Sequence, residues 1–435
     1  MNPKYANIDF ASLDKRRKIH IILPVFLVSV IAFLDRVNIA YAGMTMQNDL
    51  DWLTPEIFGA GAGMFFLGYF FFELPGSLIA AKFDACKWIA RIMFTWGVVC
   101  GLLAFMTSEF QFYLFRFLLG ACEASLYPVI YAVLFPRWFL AKERAAAISL
   151  MLTSLLIAAI IGAPVAGFLL ELDLFGFHGW QTLFLIEAVP AIVFTFVFLF
   201  WVKDRPDKVK WLSPLEKEYL NETIAAEDRA KEAVKKYTIW QSLTDKQVWR
   251  LCVIYFTWIT GFWGFNFWMP QVLHSLSGWS TTLVGIAIAL PMAVALVAQV
   301  IVGNSSSRTG EKRWHVAGCM FLGAVGLICA PFITNSLLNL FFICLTAVGV
   351  YAAMGTWWSV PTTFLSGAAA AGATALINSI ANLGGYLGPF MLGVIKQNTG
   401  STDLGYFALG GMLVISGLVM LTLPKKTAVE IGQEK

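Results

Sequence analysis

Apolar runs as long as a bilayer-crossing helix recur twelve times along this chain, and that recurrence leaves few folds open. They lie near 20–42, 57–81, 88–108, 112–135, 145–170, 180–202, 249–272, 280–303, 314–333, 336–360, 372–395 and 403–424. A helix rises about 1.5 Å per residue, so about 20 apolar residues cover the hydrocarbon of a membrane. The chain is 58% hydrophobic and 13% charged, whereas a soluble domain carries about a quarter charged residues. An all-α membrane protein with twelve transmembrane helices is therefore expected. The polar stretch from Ala11 to His20 and the long first run argue against a cleaved signal. The seven cysteines fall in or beside apolar runs without metal spacing and read as packing thiols.

The positions of the charges give the chain an orientation. All but three of the 31 Lys and Arg residues fall in the amino terminus, the loops after spans 2, 4 and 8, the segment 203–250 and the tail. The opposite loops hold Asp49, Asp51, Glu56, Glu109, Glu171 and Asp173, with Lys396 the one basic residue beside them. Basic loops stay on the cytoplasmic side, so both termini are expected there. The net charge of +4 is then a topology signal and does not point to nucleic acid. Two arginines remain, Arg36 and Arg116, and both lie inside spans.

The one long polar interval divides the spans into six and six. The expected organisation is a terminus over 1–19, a bundle over 20–202, a linker over 203–248, a second bundle over 249–424 and a tail over 425–435. Within the linker, Ser213-Pro214-Leu215-Glu216 has the form of a capping box that opens a short helix. The basic loops AAKFDACKWIAR (80–91) and SSRTGEKRWHVAG (306–318) stand at matching places in each half, as in two pseudo-symmetric bundles.

Several stretches carry a resemblance over essentially the whole chain: FLDRVNIAYAG, GAGMFFLGYFFFELPGSL, FRFLLGACEASLYP, GWQTLFLIEAVPAI, DRPDKVKWLSP, RTGEKR and INSIANLGGYLGPFMLG. They resemble the major facilitator superfamily, and within it the anion:cation symporter family, whose bacterial members include permeases for tartrate, phthalate, hydroxyphenylacetate and sugar acids. The resemblance implies a proton-coupled importer in the cytoplasmic (inner) membrane of a bacterium, working as a monomer without a cofactor. It also implies substrate contacts at Tyr69, Asn378 and a tryptophan at Trp358. The chain departs from the pattern after span 2, where Ala81, Lys82 and Asp84 stand at the family's acid, base and glycine. In the second copy Ser307 replaces the acid while Arg308 and Gly310 remain. Ser125 and Leu126 stand where many relatives have glycine and phenylalanine, and Phe33 and Leu155 where sugar-acid members tend to have tyrosine and glutamine.

The spans hold four acids, Asp35, Glu73, Glu123 and Glu187, and the two arginines, all in the first half. A charge in the bilayer centre costs about 3 kcal/mol, so charges retained there are functional candidates. Arginine's planar fork binds two carboxylate oxygens and keeps its charge, which makes Arg36 the candidate clamp for a substrate carboxylate. Burial favours a protonated acid and a nearby arginine favours an ionised one, so an acid held between the two can load and release a proton. Asp35 and Glu123 are the candidate proton carriers, with Arg116, two turns from Glu123, beside them. The alternative is that these charges are standing ion pairs between the first and fourth helices, a reading that weighs most on Arg116. For Glu73 and Glu187 a structural hydrogen bond is expected. Asn266, Gln271, Gln299, Trp357, Thr362, Thr363 and Asn382 are the further neutral candidates in the second half.

His20, His178, His274 and His315 show no metal or nucleophile spacing, and no phosphate-binding glycine loop is present. An enzyme, a metal site and transport driven by ATP hydrolysis within this chain are therefore not expected. The expected activity is symport of a proton with a small organic anion by alternating access. The rival is a proton-driven exporter of drugs or metabolites on the same fold.

Overall fold

The computed structural model describes residues 3–174, 176–232, 245–361 and 368–424. Twelve long helices run through it: α1 Phe10–Ala42, α2 Pro55–Lys82, α3 Ala85–Leu103, α4 Glu109–Arg137, α5 Ala141–Leu169, α6 Gly179–Trp201, α7 Lys246–Ser277, α8 Thr281–Thr309, α9 Arg313–Cys329, α10 Ser336–Tyr351, α11 Ala368–Thr399 and α12 Asp403–Leu421. All but α7 and α11 are apolar and long enough to cross a membrane on their described residues. Those two run for 32 residues each. α7 is buried on nearly every face, from Leu251 to Leu273. Elsewhere large apolar side chains such as Phe110, Phe200 and Phe332 are exposed, as a lipid-facing surface requires.

Among the departures from the sequence reading, two have a clear local cause. α1 begins at Phe10, a decade before the apolar run, because Asp9 caps its first turn by accepting from the Ala11 and Ser12 amides. α4 is broken at Ala124–Ser125, where Ser125 has φ 72°.

The helix pairings of the first half return in the second with a shift of six. α1 packs on α5 and α6, and α7 on α11 and α12; α2 meets α4 as α8 meets α10; α3 meets α4 and α6 as α9 meets α10 and α12. Between the halves α2 lies on α11, α5 on α8 and α1 on α7. This is two pseudo-symmetric six-helix bundles around one axis.

The bundles are tightest at the end away from the linker. A Cβ added to Gly393 would lie 2.4 Å from the Pro55 carbonyl oxygen, and one on Gly285 2.2 Å from that of Ala163. Only glycine permits backbones to meet this closely. Thr281 Oγ1 donates to the Gly167 carbonyl at 2.9 Å, and Gln47 Nε2 to Gln271 Oε1 at 3.0 Å.

At the linker end, the helix Pro214–Glu232 has the expected capping box. Glu216 Oε2 accepts from the Ser213 amide at 2.8 Å, and Ser213 Oγ from the Glu216 amide at 3.2 Å. Arg16 ties α1 to it through Glu216 and the Trp211 carbonyl. Burial alone would raise the Glu216 carboxyl, but the Ser213 amide and the Arg16 guanidinium outweigh it and the group is lowered. The linker's second part (233–244) and the tail from 425 lie outside the described residues, as do Thr362 and Thr363.

Candidate functional site

Adjacent residues on a helix point about 100° apart, so Asp35 and Arg36 on α1 face different neighbours. Arg36 Nη2 donates to Glu123 Oε1 on α4. Four rings surround its guanidinium: Phe65 at 4.9 Å and Tyr69 at 5.4 Å from α2, Tyr127 at 5.7 Å from α4, and Trp263 at 5.8 Å from α7. Ring faces attract a desolvated cation. Trp263 belongs to the second bundle, so the arginine lies on the seam between the halves. The pair is one-pronged: Arg36 Nε and Glu123 Oε2 are buried with no hydrogen-bond partner among the described residues.

Asp35 turns away from that seam. Its Oδ2 accepts from Trp96 Nε1 at 2.8 Å and its Oδ1 from Cys100 Sγ at 3.6 Å, both on α3. Cys100 Sγ accepts from Asn38 Nδ2 at 3.4 Å, and the Asn38 amide also reaches Glu187 on α6. The partner of Asp35 is thus an indole and a thiol on α3, not the acid–base pair of α4 that the sequence suggested. Its register on α1 places it on the α3 face. Glu187 is buried beside it, and its Oε2 has no hydrogen-bond partner among the described residues.

Arg116 also differs from expectation. It is fully buried and donates from Nε to the Gly61 carbonyl at 3.3 Å and from Nη2 to the Ala62 carbonyl at 3.0 Å. Its hydrogen bonds therefore fix α4 against α2, and Glu123 is left to Arg36.

The break in α4 follows Glu123 directly. Ser125 occupies the left-handed region, which costs a residue with a Cβ about 1–2 kcal/mol. Its Oγ accepts from Trp88 Nε1 at 3.4 Å. Strain stored two residues from a buried charge pair is typical of functional segments.

The second bundle contributes amides and rings. Asn378 Nδ2 donates to Glu73 Oε1 at 2.9 Å, and Asn382 Nδ2 to Glu73 Oε2 at 3.2 Å, so Glu73 on α2 is held from α11. Tyr69 lies one turn from Glu73 and links this pair of amides to the Arg36 box. Trp358 packs edge-on against Tyr255 at 5.5 Å, and Trp357 stacks on the same ring at 5.2 Å. The structure brings Arg36, Glu123 and Tyr69 together, sets Asn378 and Trp358 beside them through Glu73 and Tyr255, and points Asp35 and Arg116 elsewhere.

Phe65, Tyr127 and Trp263 were not legible as site residues. With 15% of the chain aromatic, no single ring stands out. Tyr127, one turn past Glu123, carried the one usable signal. The divergent loop after α2 is built differently from its family pattern. Asp84 caps α3 by accepting from the Cys86 and Lys87 amides, and it pairs with Lys208 at 2.8 Å. Burial would raise its carboxyl, but Lys208 and those amides outweigh it and the group is lowered.

The model of the Major Facilitator Superfamily matches residues 25–389. A protein of Agrobacterium vitis named "Putative tartrate transporter" is 43% identical over 94% of this chain and 93% of its own length. A quinolone resistance transporter of Acinetobacter baumannii is 32% identical over 90% of this chain and 90% of its own length. Among solved structures, the inward open conformation of the xylose transporter XylE from E. coli superposes with a TM-score of 0.74 at 14% identity, covering 96% of this chain and 99% of that one.

Proposed function

This chain belongs to the major facilitator superfamily and is a multi-pass transporter of small organic substrates, and from that premise we propose that it imports a small organic anion together with a proton. The anion is a carboxylate such as tartrate, a sugar acid or an aromatic acid, carried by alternating access of the two bundles across the cytoplasmic membrane of a bacterium. One observation carries the reading: Arg36 stands at the bundle seam with half of its fork engaged by Glu123 and Nε unused. A planar fork binds a carboxylate with two parallel hydrogen bonds. An incoming carboxylate can take the free edge, and Glu123, relieved of part of its partner's charge, then favours its protonated form. Binding of the anion and the proton are in this way mutually dependent. Asp35 supplies a second acid on the same helix turn, held apart from the substrate face by Trp96 and Cys100.

Purified protein in proteoliposomes tests this reading. Tartrate, aldonates, phthalate and aromatic acids are offered under an inward proton gradient. At least one should accumulate, acidify the lumen and stop accumulating when the gradient is collapsed. Accumulation indifferent to the gradient would remove proton coupling. Glu123→Gln and Asp35→Asn should abolish gradient-driven accumulation while leaving substrate-for-substrate exchange, which needs no net proton release. The 32% identity to a quinolone resistance transporter keeps export as the second reading. Drug efflux from inverted vesicles without uptake of any carboxylate would favour it.

A further inference from the structure

We infer that Glu73 is the residue through which protonation in the first bundle acts on the second, by loosening or tightening α2 on α11 where they cross. The inference rests on the proton-coupled reading above. The second bundle holds no acid or base well inside its spans, so it cannot sense a proton with its own side chains. Some group of the first bundle must reach across. Among the described residues within the spans, Glu73 is the ionisable side chain that hydrogen-bonds across the seam, to Asn378 at 2.9 Å and Asn382 at 3.2 Å. These bonds lie toward the linker end of α2, well away from the close-packed glycine contacts at the opposite end. They are therefore placed on the part of the seam that must move when access alternates.

The chemistry of the contact makes it a switch. An ionised carboxylate accepts from both amides, one at each oxygen, and each bond is charge-assisted. A protonated carboxyl has one hydroxyl that donates, and its remaining acceptor bonds are of the weaker neutral kind. Loading a proton on Glu73 therefore weakens the tie between bundles by about tenfold or more. The charged and titratable groups that face Glu73 are few. Arg36 of α1 and Tyr255 of α7 lie within electrostatic reach, and Tyr69 is one turn away on α2 itself. From α4, Glu123 is engaged by Arg36, and Arg116 by the carbonyls of Gly61 and Ala62. α11 offers the two amides. Arg36 is thus the ionic influence on Glu73, and a substrate carboxylate that covers Arg36 would also change the proton affinity of Glu73.

Pulsed EPR between labels at Lys87→Cys and Ser307→Cys, both exposed at the linker ends of opposite bundles, reads the opening without any substrate. The wild-type distance distribution should shift between alkaline and acidic buffer. Glu73→Gln keeps shape and hydrogen bonding but cannot ionise, and should hold one distribution at every pH. Asn382→Leu removes one amide donor from the other side and should show at alkaline pH the distribution that the wild-type sequence shows in acid. A full pH shift surviving in both variants overturns the inference while leaving proton coupling intact. A wild-type distance indifferent to pH overturns both together.

Discussion

Arg36 keeps a charge inside the membrane because a carboxylate and four rings share the cost of desolvating it. Lysine would keep the charge and lose the fork. Arg36→Lys should insert normally and lose about 1.5–3 kcal/mol of anion binding, roughly ten- to a hundredfold in affinity. Arg36→Ala should do worse. Binding by isothermal titration measures both, and wild-type affinity in the lysine variant would move the clamp elsewhere. Arg116 predicts a different phenotype. Its donors satisfy two α2 carbonyls, so Arg116→Lys should lower folded yield, read by fluorescent size-exclusion, more than it lowers affinity in the protein that folds. Ser125 gives the third test at this scale. Glycine enters the left-handed region freely, so Ser125→Gly should raise the thermal midpoint, set against the loss of the long Trp88 bond. A β-branched Ser125→Val should lower it.

At the scale of elements, α2 is the helix that joins the charged site to the second bundle. It packs on α4 within its bundle and on α11 across the seam, and it presents different residues to each. Phe65 and Tyr69 stack on Arg36, the Gly61 and Ala62 carbonyls hold Arg116, and Glu73 meets α11. Its far end closes on α11 because Gly393 leaves room for the Pro55 carbonyl. Gly393→Val places a branched side chain where a Cβ already lies 2.4 Å from that oxygen, an overpacking worth about 1–3 kcal/mol. The closed far end should lose population, seen as a longer EPR distance between labels at Asp51→Cys and Leu404→Cys. An unchanged distance would mean that the seam is held by other contacts, such as Thr281 on Gly167.

For the whole molecule, the repeated pairings mean that each half is built by one packing scheme, and the halves differ in that the acids and bases well inside spans lie in the first. The orientation in the membrane is tested by reporter fusions. Those at Asp49, Glu171 and Ser277 should report the periplasm, and those at Lys142, Glu227 and Lys426 the cytoplasm. A cytoplasmic signal at Glu171 would break the order of twelve spans.

The twelve helices, their division into two sets of six and the capping box at Ser213 were legible in the sequence, because each depends on a local pattern. Length and apolarity make a span, and Ser-x-x-Glu makes a cap. Charges retained inside apolar spans likewise pointed to Arg36 and Glu123 before their contact was visible. Only the tertiary structure decided the partners. Whether Asp35 meets α4 or α3, and whether Arg116 pairs with a carboxylate or with carbonyls, depends on how far each helix is rotated about its axis. That rotation is set by the packing of whole faces, such as Trp96 against Asp35 and Gly61 beside Arg116. The aromatic box and the Glu73 contact were hidden for the same reason: they join residues from bundles more than a hundred positions apart, and neither phenylalanine nor asparagine carries in its own neighbourhood any sign of what it will meet.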